Sequence, residues 1–144
     1  MTEPAACVFC RIVEGKEQAS FVAQGADALA FLDLHPITEG HTLIVPRKHA
    51  ASIGEVDEVS AVAMWSLARR VAAALRSSGL RCEALNFFLA DGAAAGQDVF
   101  HSHLHVIPRW EGDNFGIKFP PHYGAAADRK TLDDVAGRLR KRLA

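Results

Sequence analysis

The chain has neither a large excess of one charge nor a long apolar run, and each absence excludes a class of protein. Its 16 Lys and Arg nearly balance its 17 Asp and Glu, so the formal net charge is −1 at pH 7. Without a broad positive field, binding through neutralisation of a nucleic-acid backbone is disfavoured. A single nucleotide is still compatible with this balance as a ligand.

No stretch approaches the length of an apolar membrane span, and residues 1–6 lack the basic start and apolar run of a signal peptide. We therefore expect a cytoplasmic protein that contacts neither a membrane nor a nucleic acid. Hydrophobic residues make up 49% of the 144 and charged residues 23%, which is typical of a soluble globular chain. This length predicts one domain, 1–144, in which 110–144 form a C-terminal tail and helix.

Cysteine is scarce, because the chain has only 3. So few cysteines make a secreted disulfide framework improbable. Cys7 and Cys10 are separated by two residues, a spacing that suits a pair of metal ligands. We interpret Cys82 as a buried small apolar residue.

Short apolar runs bounded by turn residues predict strands, and no repeat or linker divides the chain. The predicted strands cover residues 28–34, 42–46, 84–89 and 99–107. The first two are separated by a loop containing His-Pro and Glu-Gly, which indicates a hairpin. Gly92 to Gly96 form a loop between the last two.

Two helices are predicted from periodicity and end signals. The longer covers about 57–78, with Gly79 placed to end it. Its apolar residues at helical spacing are Val59, Val62, Trp65, Leu67, Val71 and Leu75. The last thirteen or so residues form a short helix, with Thr131 and Asp134 as a capping pair. Strands on both sides of one long helix favour an α+β architecture on an antiparallel sheet.

Three alternating histidines, His101, His103 and His105, are the most informative feature of the sequence. In a strand, side chains alternate between faces, so these three imidazoles share one face. Solvated histidines on an exposed face are one explanation, although His is a modest strand former. The other two are a metal site made by the triad and nucleophilic or acid–base chemistry at phosphorus. Position alone does not separate these last two.

The segments around these histidines resemble the histidine-triad family. Gly-Gln-Asp-Val-Phe precedes the triad, and further matches to the family occur in the same order along the chain. They are Cys-Val-Phe-Cys at 7–10, Phe-Leu-Asp-Leu-His-Pro at 31–36, Gly-His-Thr-Leu-Ile-Val-Pro at 40–46 and Lys-His at 48–49. The resemblance covers roughly residues 7–109 and is strongest to bacterial members and the Hint branch. It implies a sheet of about five antiparallel strands.

The resemblance implies four catalytic residues. His103 is the nucleophile that attacks the α-phosphorus of a nucleotide, giving a nucleotidyl-histidine intermediate that water hydrolyses. His105 contacts the phosphate, Gln97 lies near the leaving group, and His41 supports the nucleophile from a neighbouring strand. A neutral imidazole is a competent nucleophile near pH 7, and its second nitrogen can be held by a hydrogen bond.

The resemblance also implies a substrate pocket. Asp33 would bond the ribose hydroxyls, and Gly96 and Asp98 lie in the loop beside the phosphates. An apolar slot for the base would consist of Val8, Phe9, Ile12, Phe31 and Leu34, although core packing explains the aliphatic members nearly as well. The loop lacks the Gly-Lys-Ser/Thr of a Walker motif, so backbone N–H groups and imidazoles would hold the phosphate.

Two positions depart from the family pattern. Many relatives have an asparagine where this chain has Ala90, which removes a polar contact to the nucleotide. Hint proteins have a serine facing the leaving group where this chain has Asp98. A carboxylate beside a phosphate is electrostatically unfavourable. Both departures argue against efficient phosphoramidase activity.

A structural zinc site is the second implication of the resemblance. Its ligands would be Cys7, Cys10, His49 and His101, and two thiolates with two neutral imidazoles balance the charge of zinc. Four protein ligands leave no open coordination position, so the metal would be structural rather than catalytic. Two reduced surface cysteines and two unrelated histidines are the alternative.

The tail contains Trp110, Phe115, Phe119 and Tyr123, which we predict to form a satellite hydrophobic cluster. The resemblance implies a homodimer whose C-terminal segments approach the partner's site. The expected activity is hydrolysis of a nucleoside phosphoramidate or dinucleoside polyphosphate. Nucleotidyl transfer is the rival enzyme activity, and His105 favours hydrolysis because the transferase branch has glutamine there. A nucleotide- or partner-binding module with little turnover is the non-enzymatic alternative.

Overall fold

The computed structural model describes residues 6–143, so the signal-peptide expectation for the first residues falls mostly outside it. One compact unit ends at Asn114, and a second begins at Phe115. The first unit contains an antiparallel sheet in the order β1-β2-β3-β5-β4, which confirms the predicted α+β class. The strands are β1 Phe21–Gln24, β2 Ala28–Leu32, β3 Thr42–Pro46, β4 Ala84–Phe88 and β5 Leu104–Arg109. The helices are α1 Val8–Val13 and α2 Glu58–Ser77 in the first unit and α3 Arg129–Leu143 in the second.

The β2–β3 hairpin is present, with Ala28 opposite Pro46 and Leu32 opposite Thr42. Gly40 turns the chain in the connecting loop with a φ of 89°. A Cβ atom at Gly40 would lie 3.0 Å from a methyl of Leu75, so glycine also permits the loop to approach α2 closely. This hairpin brings His41, at the end of the loop, to the start of β3.

The predicted strand 99–107 is wrong in its first half, because β5 begins at Leu104. Leu104 pairs with Ile44, and continuing that register would bring Pro46, which has no N–H, into the ladder. The backbone N–H of Ser102 instead donates to the carbonyl of Ala50 at 2.7 Å. Of the three histidines, only His105 therefore lies in the strand.

The helix α2 begins and ends within one residue of the prediction, and Asp57 caps it by accepting from the Ser60 N–H at 2.9 Å. The predicted apolar face is only half right. Val59, Val62 and Trp65 are exposed, whereas small residues such as Ala68 face the sheet and let the helix approach it. The side chains that α2 buries against the sheet include Met64, Leu67, Ala68, Val71 and Leu75.

Alternate residues of the central strands bury opposite faces of the sheet. On the face under α2 lie Ala28, Ala30 and Ile44. On the other face a second cluster contains Leu29, Phe31, Leu43 and Val45 from the strands with Cys7, Phe9, Cys10 and Ile12 from the α1 region. The N-terminal segment thus closes the face on which the histidines lie.

The second unit contains α3, whose start differs from the prediction. Asp128 caps it by accepting from the Thr131 N–H at 3.0 Å, and Lys130 donates to Asp134 at 2.8 Å. The predicted Thr131–Asp134 capping pair is therefore wrong, because the helix begins at Arg129. In the same unit the rings of Phe119 and Tyr123 stack with centroids 4.0 Å apart.

Two smaller points concern the first unit. The guanidinium of Arg81 lies over the side chain of Trp110, and its Cζ is 5.3 Å from the centroid of the Trp110 ring. Cys82 is partly buried rather than fully buried, and its thiol donates to the carbonyl of Ala84.

Of the helices within residues 6–143, none combines the length and apolarity that a membrane crossing needs.

Candidate functional site

Only one ring nitrogen of His103 makes a hydrogen bond to another of the described residues. Its Nδ1 lies 2.8 Å from the backbone carbonyl of His101, and since a carbonyl only accepts, Nδ1 must be the protonated donor. When the ring carries a single proton, the lone pair is therefore on Nε2. The side chain is 2% exposed, so the ring cannot turn freely. This arrangement supplies an oriented nitrogen nucleophile.

His41 and His105 form a second oriented pair. The backbone N–H of Ile37 donates to Nδ1 of His41 at 3.1 Å, which leaves the proton of His41 on Nε2. That Nε2 lies 2.9 Å from Nδ1 of His105 and donates to it. The proton of His105 is consequently on its own Nε2, where it can donate to an anion. His41 thus contacts the third histidine, whereas the sequence predicts support of the nucleophile.

Burial keeps these two imidazoles uncharged at neutral pH. The pKa of His105 is lowered to about 4, mainly by desolvation and also by His103 and His41, while Asp33 and Asp98 oppose the shift. Desolvation also lowers the pKa of His41, against the raising effect of Asp33. His105 is therefore a neutral hydrogen-bond donor, and these two rings contribute no fixed positive charge to the site.

Asp33 and Gln97 are engaged mainly with the protein itself. Asp33 accepts from the His35 N–H at 2.9 Å, and its other oxygen is 3.5 Å from His41 Nδ1. The Gln97 amide accepts from the Gly92 N–H at 2.7 Å and donates to Ala51 and Val99 carbonyls at 2.7 and 3.1 Å. Both amide protons of Gln97 are used, so it positions the loop and has none left for a leaving group.

The loop before the triad is shaped by Gly96, whose φ of 87° favours glycine. Its N–H donates to Ala93 within the loop at 3.0 Å, so it is not free for a phosphate. Asp98 follows, with Oδ1 3.8 Å from Nε2 of His103. Ala90, the other departure from the family pattern, is buried.

The five residues expected to form the apolar slot divide into two sets. Phe9, Ile12 and Phe31 are buried in the core, while Val8 and Leu34 are exposed. Phe9 presents its ring to both His101 and His103, with centroids 5.9 and 5.2 Å away. The buried set therefore supports the histidines, and only the exposed pair offers surface that a base could cover.

His101, the remaining histidine of the triad, faces the thiols of Cys7 and Cys10. His101 is fully buried, and its Nε2 lies 2.8 Å from the carbonyl of Pro46, so this nitrogen is the donor. Its unprotonated Nδ1 lies 3.6 and 3.5 Å from the sulfur atoms of Cys7 and Cys10, and His49 Nδ1 lies 3.2 Å from Cys10. The donor atoms of all four residues lie within 4.8 Å of one another.

These donors fit a tetrahedral zinc ion. Zn–S and Zn–N bonds of about 2.3 and 2.0 Å place sulfur and nitrogen about 3.5 Å apart at the tetrahedral angle. The two distances from His101 match that value, and the distance from His49 to Cys10 is about 0.3 Å shorter. Burial lowers the pKa of His101 to about 4, so its ring is neutral as a ligand must be. The four residues can hold a metal ion.

The sequence identifies most of these side chains but not the backbone groups that orient them. The Ile37 N–H and the carbonyls of His101 and Pro46 fix which nitrogen of each imidazole is protonated. Every residue has a backbone carbonyl and every residue except proline has an N–H, so no sequence signal marks them.

Comparison with known proteins places this arrangement among similar ones. A sequence model of the HIT domain matches residues 14–112. The fold is similar to a member of the HIT family from Bacillus subtilis, with TM-score 0.87, 32% identity, and 96% and 97% of the two chains covered. It also resembles a Zn-bound histidine triad family protein from Mycobacterium smegmatis, with TM-score 0.75, 34% identity, and 97% and 99% covered. A histidine triad nucleotide-binding protein from Candida albicans matches with TM-score 0.84, 26% identity, and 95% and 96% covered.

Proposed function

The chain belongs to the histidine-triad (HIT) family, and from this premise we propose that it hydrolyses nucleotides at the α-phosphorus through His103. The observation that carries the proposal is the contact between His103 Nδ1 and the His101 carbonyl, which leaves the Nε2 lone pair free in a buried site. The similarity to a nucleotide-binding protein supports a nucleotide as the ligand.

The proposed reaction has two displacements at phosphorus. In the first, Nε2 of His103 bonds to phosphorus, and the bond to the leaving group breaks with its electron pair staying on that group. In the second, a water oxygen attacks phosphorus, the electron pair of the N–P bond returns to Nε2, and a proton passes to solvent. Dividing one difficult displacement in this way lowers the barrier of each step.

His105 stabilises the charge that develops on the phosphate. Its Nε2–H is fixed by the donor–acceptor order from Ile37 through His41. A pre-oriented donor in a partly buried site stabilises an oxyanion without reorganisation during the reaction. Because His105 is neutral, it does so by a directed hydrogen bond rather than by charge.

The test uses a fluorogenic adenosine phosphoramidate and diadenosine tetraphosphate as substrates. We expect turnover of at least one of them, and a nucleotidyl adduct on the protein by mass spectrometry after an alkaline quench. His103→Ala should abolish turnover and the adduct while AMP binding, measured by calorimetry, stays largely unchanged. Wild-type protein that binds AMP but hydrolyses neither compound contradicts the proposal.

We propose that the metal held by Cys7, Cys10, His49 and His101 is zinc and that its role is structural. The donor set and its distances support zinc. When bound, it would link the N-terminal segment to the residue whose carbonyl orients the nucleophile.

We also propose that the protein is a homodimer formed through β4 and α2. β4 is an edge strand, and beside it Trp65, Phe87 and Phe88 are exposed, with Trp65 and Phe87 in ring contact at 5.6 Å. An open strand edge next to an apolar patch suits pairing with a second copy. The Phe88 ring is also 5.8 Å from that of His105, so this surface borders the site.

Sedimentation velocity tests the dimer. We expect wild-type protein to be dimeric at micromolar concentration and Trp65→Glu to be monomeric. Val22→Glu introduces the same charge on β1, the opposite edge strand, and should remain dimeric. A monomeric wild type, or equal behaviour of the two variants, contradicts the proposed interface.

A further inference from the structure

A carboxylate lies beside the reacting nitrogen. Oδ1 of Asp98 is 3.8 Å from Nε2 of His103, the atom left free for bonding. The backbone N–H of Val99 donates to the same oxygen at 2.9 Å, which holds the carboxylate in this orientation. A phosphorus in contact with His103 Nε2 would lie within a few ångströms of this carboxylate, and the leaving group would lie one bond further away.

The carboxylate is also well solvated, because the Asp98 side chain is 85% exposed. Its own desolvation is therefore slight, and its field reaches the mouth of the site. Asp98 and Asp33 both act electrostatically on His105, so two carboxylates lie near the proposed phosphate position, beside a neutral His105. Both carboxylates lower the electrostatic potential at the position of the substrate.

This field affects substrates unequally. Every nucleotide that reacts here has the same α-phosphate, so repulsion between that phosphate and Asp98 is common to all of them. Substrates differ in the leaving group, whose charge adds to or offsets this repulsion. A leaving group that continues as further phosphates is repelled again, whereas one with an ammonium group is attracted.

We propose that Asp98 is a specificity-determining residue that selects leaving groups by charge, cationic before neutral before anionic. The proposal rests on the hydrolysis proposed above and ranks its substrates by the charge of the leaving group. From sequence, the carboxylate argues against phosphoramidase activity. The exposed position of Asp98 removes this objection, because solvent weakens its repulsion of the α-phosphate that all substrates share. The difference in its interaction with cationic and anionic leaving groups remains.

The step balances as an ordinary phosphoramidate cleavage. The Nε2–P bond forms, the P–N bond breaks, and its electron pair stays on the amine nitrogen. That nitrogen takes up protons from solvent and departs as an ammonium ion. Asp98 forms no bond in this step, and it lowers the energy of the positive charge that develops on the departing nitrogen.

A series of matched substrates tests the proposal. AMP is joined through its phosphorus to propylamine, to 1,3-diaminopropane or to β-alanine, so that the leaving group is neutral, cationic or anionic at similar size. The kcat/KM for each is measured with wild type, with Asp98→Asn and with Glu58→Gln. Glu58 is an exposed carboxylate in the first turn of α2, so its substitution changes net charge equally.

We expect wild type to prefer the cationic over the anionic compound, and Asp98→Asn to reduce that ratio about five- to tenfold. Glu58→Gln should keep the wild-type ratio of the two kcat/KM values, and added salt should bring the wild-type ratio closer to 1. A ratio that is unchanged in Asp98→Asn overturns the proposal, even if overall activity falls.

The failure of the proposed hydrolysis is distinguishable. If wild type cleaves none of the three compounds, their dissociation constants by calorimetry test the charge preference directly. The hydrolysis itself is refuted when diadenosine tetraphosphate is not cleaved either. If the wild-type affinities rank cationic above neutral above anionic, and Asp98→Asn removes this ranking, the result supports selection by Asp98. Equal affinities for the three compounds overturn it.

Discussion

Nε2 of His41 donates to Nδ1 of His105 across 2.9 Å, joining the residue that precedes β3 to one within β5. The two rings are tilted with centroids 5.1 Å apart, so the contact is a directed hydrogen bond rather than stacking. Because Ile37 fixes the proton of His41, the protonation order of both imidazoles is set by one backbone N–H. The Nε2–H of His105, which we propose as the hydrogen-bond donor to the phosphate, therefore depends on a residue outside the triad.

Replacing His41 tests this dependence. His41→Leu removes the donor, so His105 can place its proton on Nδ1 and lose the Nε2–H that faces the phosphate. We expect kcat to fall by about tenfold or more, with a smaller change in KM. His41→Gln retains an N–H group and should recover part of the loss. Steady-state kinetics that find His41→Leu as active as wild type would rule out this role.

Gln97 provides a second test, because its side chain joins two backbone groups of the loop before the triad to the carbonyl of Ala51. Gln97→Ala leaves the buried carbonyl of Ala51 without its donor, and we expect the free energy of unfolding to fall by about 2 kcal/mol. Urea denaturation measures this change.

Gln97→Glu is the matched variant, because it keeps an acceptor for the Gly92 N–H and loses both donors. It should be at least as destabilised as Gln97→Ala. A Gln97→Ala protein of wild-type stability but reduced kcat would instead assign the amide to catalysis.

The pH dependence of stability follows from His105. Its pKa in the folded protein is about 4, below the 6.5 of a free histidine, so the fold favours the neutral ring. The unfolded chain binds more protons between these values, and stability is therefore complete above pH 6.5 and falls as the pH drops towards 4. We expect His105 to account for about 2 kcal/mol of that loss, allowing for its partial exposure.

Urea denaturation at pH 7.0, 5.5 and 4.5 measures the effect, with His105→Gln as the comparison. The variant keeps an acceptor for His41 but has no titrating ring, so its stability should fall less steeply with pH. Parallel curves for the two proteins would show that His105 does not contribute.

Metal content tests the cysteine–histidine cluster. Protein purified without added zinc should contain about one zinc per chain by elemental analysis. Cys7→Ser should lose most of it and lower the Tm by about 5–10 °C. Cys82→Ser, which alters the cysteine outside the cluster, should keep both. Zinc near zero in wild type, or a full equivalent in Cys7→Ser, would contradict this ligand set.

The sequence predicts the fold where the signal is local. The hairpin has turn residues between apolar runs, and α2 has Asp57 and Gly79 at its ends, so both appear where expected. The strand β1 has no such signal, because it is four residues long and lies mostly exposed at the sheet edge. The start of β5 is missed because it depends on Pro46, more than fifty residues earlier, through the strand register.

The site is predictable in its membership but not in its arrangement. Alternation along a strand would place three imidazoles side by side. Instead the ring of His101 faces the thiols, while the rings of His103 and His105 stay in contact with centroids 4.9 Å apart. The division arises because the strand has not yet begun at His101. Similarly, Gln97 and Phe9 belong to the site only through contacts that depend on the folded loop and core.

His101 meets two separate requirements with two parts of one residue. Its ring faces the thiol cluster, and its carbonyl holds the nucleophilic ring. Few amino acids can satisfy the first requirement, whereas all twenty can satisfy the second. A substitution of His101 could therefore remove the proposed metal site and leave the ring of His103 in its present orientation, provided that ordinary packing held the backbone in place.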